Sequence, residues 1–232
     1  EVFLSYLPGT SEDRIVDCVS FKGQQEAVSL GRYPDTGPYW FRMTPSRGAA
    51  NAESVLDIMI DEFMYHPSSD TDEEYIELYN PTPSRIYLEN DEGTWRLDGG
   101  VEYTFPAGVS IPAHGRLLVV GFDPVSDLDR LGNFFISYNS GLLAPGVDIV
   151  GPWSGSLSNG GERLTLAEPL APDTPDDPVS WVTIDEVVYA DVPPWPVSPD
   201  GAGDALQRKT SDRYHSGNDP ANWKAAPPSP AR

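Results

Sequence analysis

The chain has 232 residues, of which 39% are hydrophobic and 11% aromatic, a content that can form a packed core and excludes a disordered acidic chain. Acidic residues outnumber basic ones by 36 to 15, and the net charge of -21 would repel phosphate backbones and anionic membranes. The single cysteine, Cys18, excludes an intrachain disulfide and a thiolate metal cluster. No apolar run approaches the roughly 20 residues of a membrane-spanning helix. We therefore expect neither nucleic-acid binding nor a membrane span.

The 24 prolines and 21 glycines interrupt helical periodicity and predict an all-β fold of short strands, with no helix longer than a few turns. At the start of the chain, strands are predicted near residues 2–7 and 15–21. Small residues at 48–52 form a linker. An apolar run over residues 55–65 then predicts a strand buried on both faces, and the alternating residues 74–80 predict the next one. Further strands are predicted over residues 85–88, 95–97, 102–105, 116–121, 134–138, 163–167 and 182–189, a spacing typical of a β-sandwich or barrel.

An internal repeat decides the domain organisation. The stretch 15–21 returns as 183–189, Leu30-Gly31-Arg32 returns as Leu206-Gln207-Arg208, and Trp40 returns as Trp223. We therefore predict that residues 1–52 are the C-terminal portion of a preceding domain and that residues 53–229 form a complete one. An isolated hairpin is marginal in water. The first unit must therefore be completed by missing sequence, by another chain or by docking on the second unit, and self-association through residues 1–52 is one expected outcome.

Several motifs in this chain resemble the bacterial lamin-tail domain family. They are Ile58-Met59-Ile60-Asp61-Glu62-Phe63-Met64-Tyr65, Glu77-Leu78-Tyr79-Asn80-Pro81, Phe105-Pro106-Ala107-Gly108-Val109-Ser110-Ile111-Pro112, Leu157-Ser158-Asn159-Gly160-Gly161-Glu162 and Ile184-Asp185-Glu186-Val187-Val188-Tyr189. The resemblance runs from about residue 55 to residue 226 and implies an immunoglobulin-like β-sandwich. It also implies a module of large exported bacterial proteins with no established chemistry of its own.

The sharpest candidate metal site is the acidic stretch of residues 70–74, where Asp70, Asp72 and Glu74 could direct oxygen ligands at calcium. The stretch lacks the full spacing of an EF-hand loop, and no distant ligand is identifiable. A solvated hairpin tip is the alternative. The three histidines are isolated in sequence, and no nucleophile motif is present.

Aromatic residues suggest a second candidate site. Trp195 in a proline-rich stretch, together with Tyr39 and Trp40, could form an exposed surface that binds sugar or protein. A proline-rich loop folded over the sandwich edge is the structural alternative.

These observations favour a secreted or cell-surface, non-enzymatic module with a structural, adhesive or protein-binding role in an exported multidomain protein or surface assembly. Its expected partners are other protein chains or neighbouring domains. Two alternatives remain open: a hydrolase or nuclease that uses carboxylates or a metal, and a calcium-binding carbohydrate-recognition module.

Overall fold

The structure is a computed structural model that describes residues 1–52, 56–69, 73–141, 143–172, 174, 176–209 and 216–232. The strands within this part of the chain are β1 (Val2–Tyr6), β2 (Arg14–Val19), β3 (Ser29–Arg32), β4 (Trp40–Met43), β5 (Met59–Met64), β6 (Tyr75–Tyr79), β7 (Ile86–Tyr87), β8 (Glu89–Asn90), β9 (Gly93–Thr94), β10 (Arg96–Gly99), β11 (Val101–Thr104), β12 (Ser110–Ile111), β13 (Arg116–Val120), β14 (Ile149–Val150), β15 (Ser154–Gly155), β16 (Arg163–Leu170), β17 (Ser180–Val188), β18 (Ala205–Arg208) and β19 (Trp223–Ala226). One α-helix, α1, spans Leu128–Tyr138, and a short 3-10 helix spans Pro220–Asn222.

Two larger sheets form a sandwich from residue 56 onward. The first sheet has the strand order β15-β11-β10-β16-β17, and the second has the order β14-β13-β6-β5-β18-β19. Alternating side chains such as Ile76, Leu78, Leu164 and Leu166 point into one continuous core between the sheets. The predicted all-β, immunoglobulin-like sandwich is confirmed.

Helix α1 covers the outer face of the second sheet. Its residues Leu131, Phe134 and Tyr138 pack against Met64 and Tyr75. Strand β5 is buried throughout because Ile60 and Phe63 face the core between the sheets, Met64 belongs to the cluster of helix α1, and Ser229 contacts Glu62. Because residues 134–138 lie in helix α1, the strand predicted there is wrong. Asp127 caps the helix by accepting a hydrogen bond from the Arg130 amide, and the buried residues recur at spacings of three and four, which suits a helix rather than a strand.

The N-terminal unit, which we define as residues 1–52, forms two hairpins. Strand β1 pairs with β2, and β3 pairs with β4, in two separate two-stranded antiparallel sheets. Within the described chain, neither hairpin extends into a larger sheet. Each of its four strands therefore has one edge without a ladder partner in the described chain, and the edges of β1 and β3 are among these potential pairing sites.

Candidate interaction site

The β1–β2 hairpin exposes apolar side chains that a folded domain normally buries. Val2 is 56% exposed, Leu4 62% and Val16 55%. Residues 2–7 carry no charge, although the whole chain has a net charge of -21. On β2 the charged residues Arg14 and Asp17 stand opposite Tyr6 and Leu4. An exposed group of apolar side chains bordered by charged residues is typical of a protein-binding surface.

The same hairpin has a buried counterpart in the sandwich. Strands β1 and β2 pair with the same register as β16 and β17, and both pairs are shifted at the same point, after Leu4 in one and after Leu166 in the other. The shift leaves one extra residue, Val16 or Ile184, in the second strand, which is a β-bulge. The matched positions are Val2 and Leu164, Phe3 and Thr165, Leu4 and Leu166, Cys18 and Glu186, and Val19 and Val187.

The second pair of hairpins matches as well. Arg32 pairs with Trp40 across β3 and β4, as Arg208 pairs with Trp223 across β18 and β19. The guanidinium carbon lies 4.6 Å from the Trp40 ring centroid in the first case and 5.1 Å from that of Trp223 in the second, a cation–π geometry. The N-terminal unit thus has the geometry of the closing half, residues 163–232.

An arginine also joins the two sheets in both units. Arg32 Nη2 lies 2.5 Å from Asp17 Oδ1, with both side chains partly exposed. Arg208 forms the matching ion pair with Asp185, and here both side chains are buried. Burial raises the pKa of Asp185, while Arg208 and the Ile60 amide oppose that rise.

The N-terminal unit contacts the sandwich along the edge of β17. The Gly23 amide donates to the Trp181 carbonyl at 3.0 Å, and a side chain at Gly23 would crowd that carbonyl, since a Cβ would lie 3.0 Å from its oxygen. Arg42 Nη2 lies 3.3 Å from Glu168 Oε1. These contacts involve the segments around β3 and β4 and leave the patch on β1 and β2 uncovered.

A cavity of about 410 Å³ separates the two parts of the molecule. Its lining includes Tyr39 and Trp40 from the N-terminal unit and Val182 and Ile184 from β17. Burial is the main cause that raises the pKa of Tyr39, and Asp219 contributes through charge and a hydrogen bond. Two of the three predicted aromatic residues therefore lie together.

Trp195, the third predicted aromatic residue, lies elsewhere. It is only 7% exposed, belongs to the main core, and its ring centroid is 6.2 Å from that of Trp223. The exposure predicted for Trp195 is wrong, because the proline-rich loop turns its indole into the core. A binding role for Tyr39 and Trp40 stays a prediction.

The predicted calcium ligands are only partly within the described structure. Asp70 and Asp72 lie outside the described residues. The Glu74 carboxylate accepts a hydrogen bond from the Leu157 amide at 3.0 Å, and burial raises its pKa. In the described ranges, no three His, Cys, Asp or Glu side chains are placed to hold a metal ion. Calcium binding and a solvated hairpin tip stay alternative predictions for this stretch.

A cluster of buried carboxylates on β5 and β6 was not singled out by the sequence. Glu62 accepts hydrogen bonds from the Ser229 amide at 2.7 Å and the Ser229 hydroxyl at 2.6 Å. Glu77 accepts one from Arg116 Nε at 2.7 Å and another from the Ala231 amide. Burial raises the pKa of Glu77 to about 8. The C-terminal tail therefore occupies these oxygens, a structural arrangement that leaves no open general base there.

The family model described as Lamin Tail Domain matches residues 51–167, half of the chain. The matched segment starts ahead of β5 and ends within β16. The chain belongs to the lamin tail domain family. The match confirms the predicted family. Lamin tail domains are immunoglobulin-like and non-catalytic. No curated protein and no solved structure matches the chain. Division of this lamin tail chain into residues 1–52 and 53–229 stays a prediction.

One further finding concerns membranes. In the part of this lamin tail chain that the structure describes, no helix is long and apolar enough to span a bilayer.

Proposed function

We propose that this lamin tail chain is a non-enzymatic interaction module that binds protein through its N-terminal unit. The observation that carries the proposal is the exposure of Val2, Leu4 and Val16 on a hairpin whose matched positions in the sandwich are buried. Binding a protein partner would remove this apolar area from water, the main favourable contribution to association.

The module would belong to an exported multidomain protein or surface assembly, in a structural or adhesive role. The repeated closing geometry supports this, since repeated units of one fold suit proteins assembled from neighbouring modules. The net charge of -21 also favours solubility outside the cell and disfavours contact with anionic surfaces. Cell fractionation with an antibody against the chain tests this placement, and recovery only in the cytosol would contradict it.

Dye binding tests the interaction role. The intact chain should enhance the fluorescence of an apolar-surface dye, and Leu4→Asp should remove most of that signal. Val125→Asp is the matched control, because Val125 is equally exposed but lies on the sandwich. A dye-negative intact chain would contradict the proposal.

Turnover tests the enzyme alternative separately. The chain should show no activity above background on polysaccharides, esters or nucleic acids. Turnover that disappears in Glu62→Gln or Glu77→Gln would overturn the non-enzymatic proposal, since these are the buried carboxylates that the sandwich brings together.

A further inference from the structure

Each hairpin of the closing half has a further neighbour in the sandwich. Strand β16 pairs with β10 on its other edge, with Leu97 opposite Leu166. Strand β18 pairs with β5, with Phe63 opposite Leu206. Both neighbours come from the front half, which we define as residues 56–162. The front half thus supplies the strand that lies directly beside each closing hairpin, β10 in one sheet and β5 in the other.

The N-terminal unit has the same hairpins without those neighbours. By the shared register, the place of β10 falls beside β1, and the place of β5 falls beside β3. In the described residues neither place is filled by a strand. The contrast in burial follows: Leu166 is fully buried, whereas Leu4 at the matched position is 62% exposed.

We propose that residues 1–52 are the acceptor half of a second lamin tail sandwich, and that their partner is a polypeptide carrying the front half of that fold. One partner strand lies antiparallel to β1 and another antiparallel to β3. The inference rests on the proposed function, because it names the partner of the interaction module.

The sandwich itself indicates the chemistry of the strand beside β1. That strand carries an apolar side chain opposite Leu4, as Leu97 stands opposite Leu166. It also needs a glycine at its end. Gly99 has a φ of +116°, and a Cβ there would lie 2.0 Å from the Arg163 carbonyl oxygen, a contact that only glycine avoids.

The strand beside β3 carries an aromatic residue and a carboxylate. Phe63 packs its ring 5.4 Å from the Trp223 ring, and Trp40 is the matched tryptophan. Glu62 accepts hydrogen bonds from Ser229. When the matched register of β4 and β19 is continued past the strands, Ser46 corresponds to Ser229. The Ser46 hydroxyl donates a hydrogen bond to Asn51 Oδ1 at 2.6 Å. A glutamate on the partner strand would accept the hydrogen bond from the Ser46 hydroxyl in place of Asn51.

Two other occupants fit these edges less well. In a second intact copy, β5 and β10 already pair with its own closing half, and each copy brings a net charge of -21, which opposes association. The sandwich of the same molecule contacts the unit along β17 but leaves Leu4 exposed. Neither supplies a strand for β1.

An extended chain tests the proposal. Residues 56–162 are placed a second time, directly ahead of Glu1, so that the tether keeps the front half at high effective concentration. Hydrogen exchange of the β1 and β2 amides should slow by roughly 100-fold or more relative to the original chain, and dye binding should fall to background. Leu4→Asp in the extended chain should abolish the protection, whereas Val125→Asp in the original copy of residues 56–162 should not.

A smaller extension keeps the test decisive if the long one does not fold. Residues 94–105, which contain β10 and β11, are joined to Glu1 by a flexible linker of about ten Gly and Ser residues. Amides of β1 should then exchange more slowly, and a Leu97→Asp change in the added segment should reverse the effect. Unchanged exchange at β1 in both extended chains would overturn the proposal.

Sedimentation of the original chain separates the remaining outcomes. A dimer that protects the β1 amides and dissociates on Leu4→Asp would make a second copy the occupant and overturn the front-half proposal, while leaving the interaction role intact. Slow hydrogen exchange at β1 in a monomer that does not bind the dye would contradict both the front-half proposal and the proposed interaction role.

Discussion

The hairpins β1–β2 and β16–β17 have the same geometry and opposite environments. They share register and bulge, yet Leu166 is fully buried and Leu4 is 62% exposed. Register in a hairpin is set by its own turn and bulge, whereas burial depends on strands that come from far away in the chain. The comparison separates what a hairpin determines by itself from what its neighbours supply.

The largest expected effect comes from placing the same charge at the two matched positions. Leu166→Asp leaves an unpaired charge in the core and should lower the free energy of unfolding by more than about 4 kcal/mol, or prevent folding altogether. Leu4→Asp should change it by less than about 0.5 kcal/mol. Denaturant unfolding followed by tryptophan fluorescence measures both. Equal losses would show that β1 is buried in solution.

Substitutions of the matched arginines, Arg208 and Arg32, should change the stability by an intermediate amount. Arg208→Met leaves Asp185 buried without its partner and should cost about 3–5 kcal/mol. Arg32→Met breaks a pair with partly exposed side chains and should cost about 0–1 kcal/mol. Adding Asp185→Asn to the first variant should restore part of the stability, which chemical denaturation would detect. No recovery would mean that packing of Arg208 on Trp223 dominates.

A pH titration distinguishes the sandwich from the hairpin. Burial raises the pKa of Glu77 from 4.5 to about 8, so between these values the folded state holds a proton that the unfolded state has released. Stability should therefore fall as the pH rises through this window. Glu77→Gln should flatten the fall in melting temperature. Dye binding by the β1–β2 hairpin, measured at the same pH values, serves as the control, and parallel slopes in wild type and variant would refute the assignment to Glu77.

The smallest effect is expected of calcium. Glu74 belongs to the front half of the sandwich, and its carboxylate already accepts a hydrogen bond from the Leu157 amide. Millimolar calcium should leave the melting temperature unchanged within error. A rise that Asp72→Asn or Glu74→Gln abolishes would instead establish the calcium alternative, since a ligand that binds only the folded state stabilises it.

Local pattern predicted much of the fold. Alternation predicted β6, and the predicted strands over residues 163–167 and 182–189 correspond to β16 and β17. The repeat matched Leu206 to Arg208 and Trp223 with the N-terminal unit, but β18 and β19 were not predicted as strands. The run over residues 134–138 misled because its aromatic residues favour strands, while the Asp127 cap and the spacing of Leu131, Phe134 and Tyr138 favour a helix. Here the cap was the stronger signal.

Long-range packing could not be predicted in the same way. Trp195 is buried because Trp223 lies beside it, and the sequence does not show that proximity. Glu62 and Glu77 are buried, and both accept hydrogen bonds from a C-terminal tail more than 150 residues further along the chain. Of the candidate interaction site, the repeat predicted that residues 1–52 need further strands, and the structure shows which side chains of β1 and β2 are exposed.

The shared bulge makes the two hairpins exchangeable parts. Since Val16 and Ile184 occupy the same extra position, replacing β1 and β2 residue by residue with β16 and β17 would transplant every side chain to the same face. A recombination event within such a unit would keep the sheets in phase.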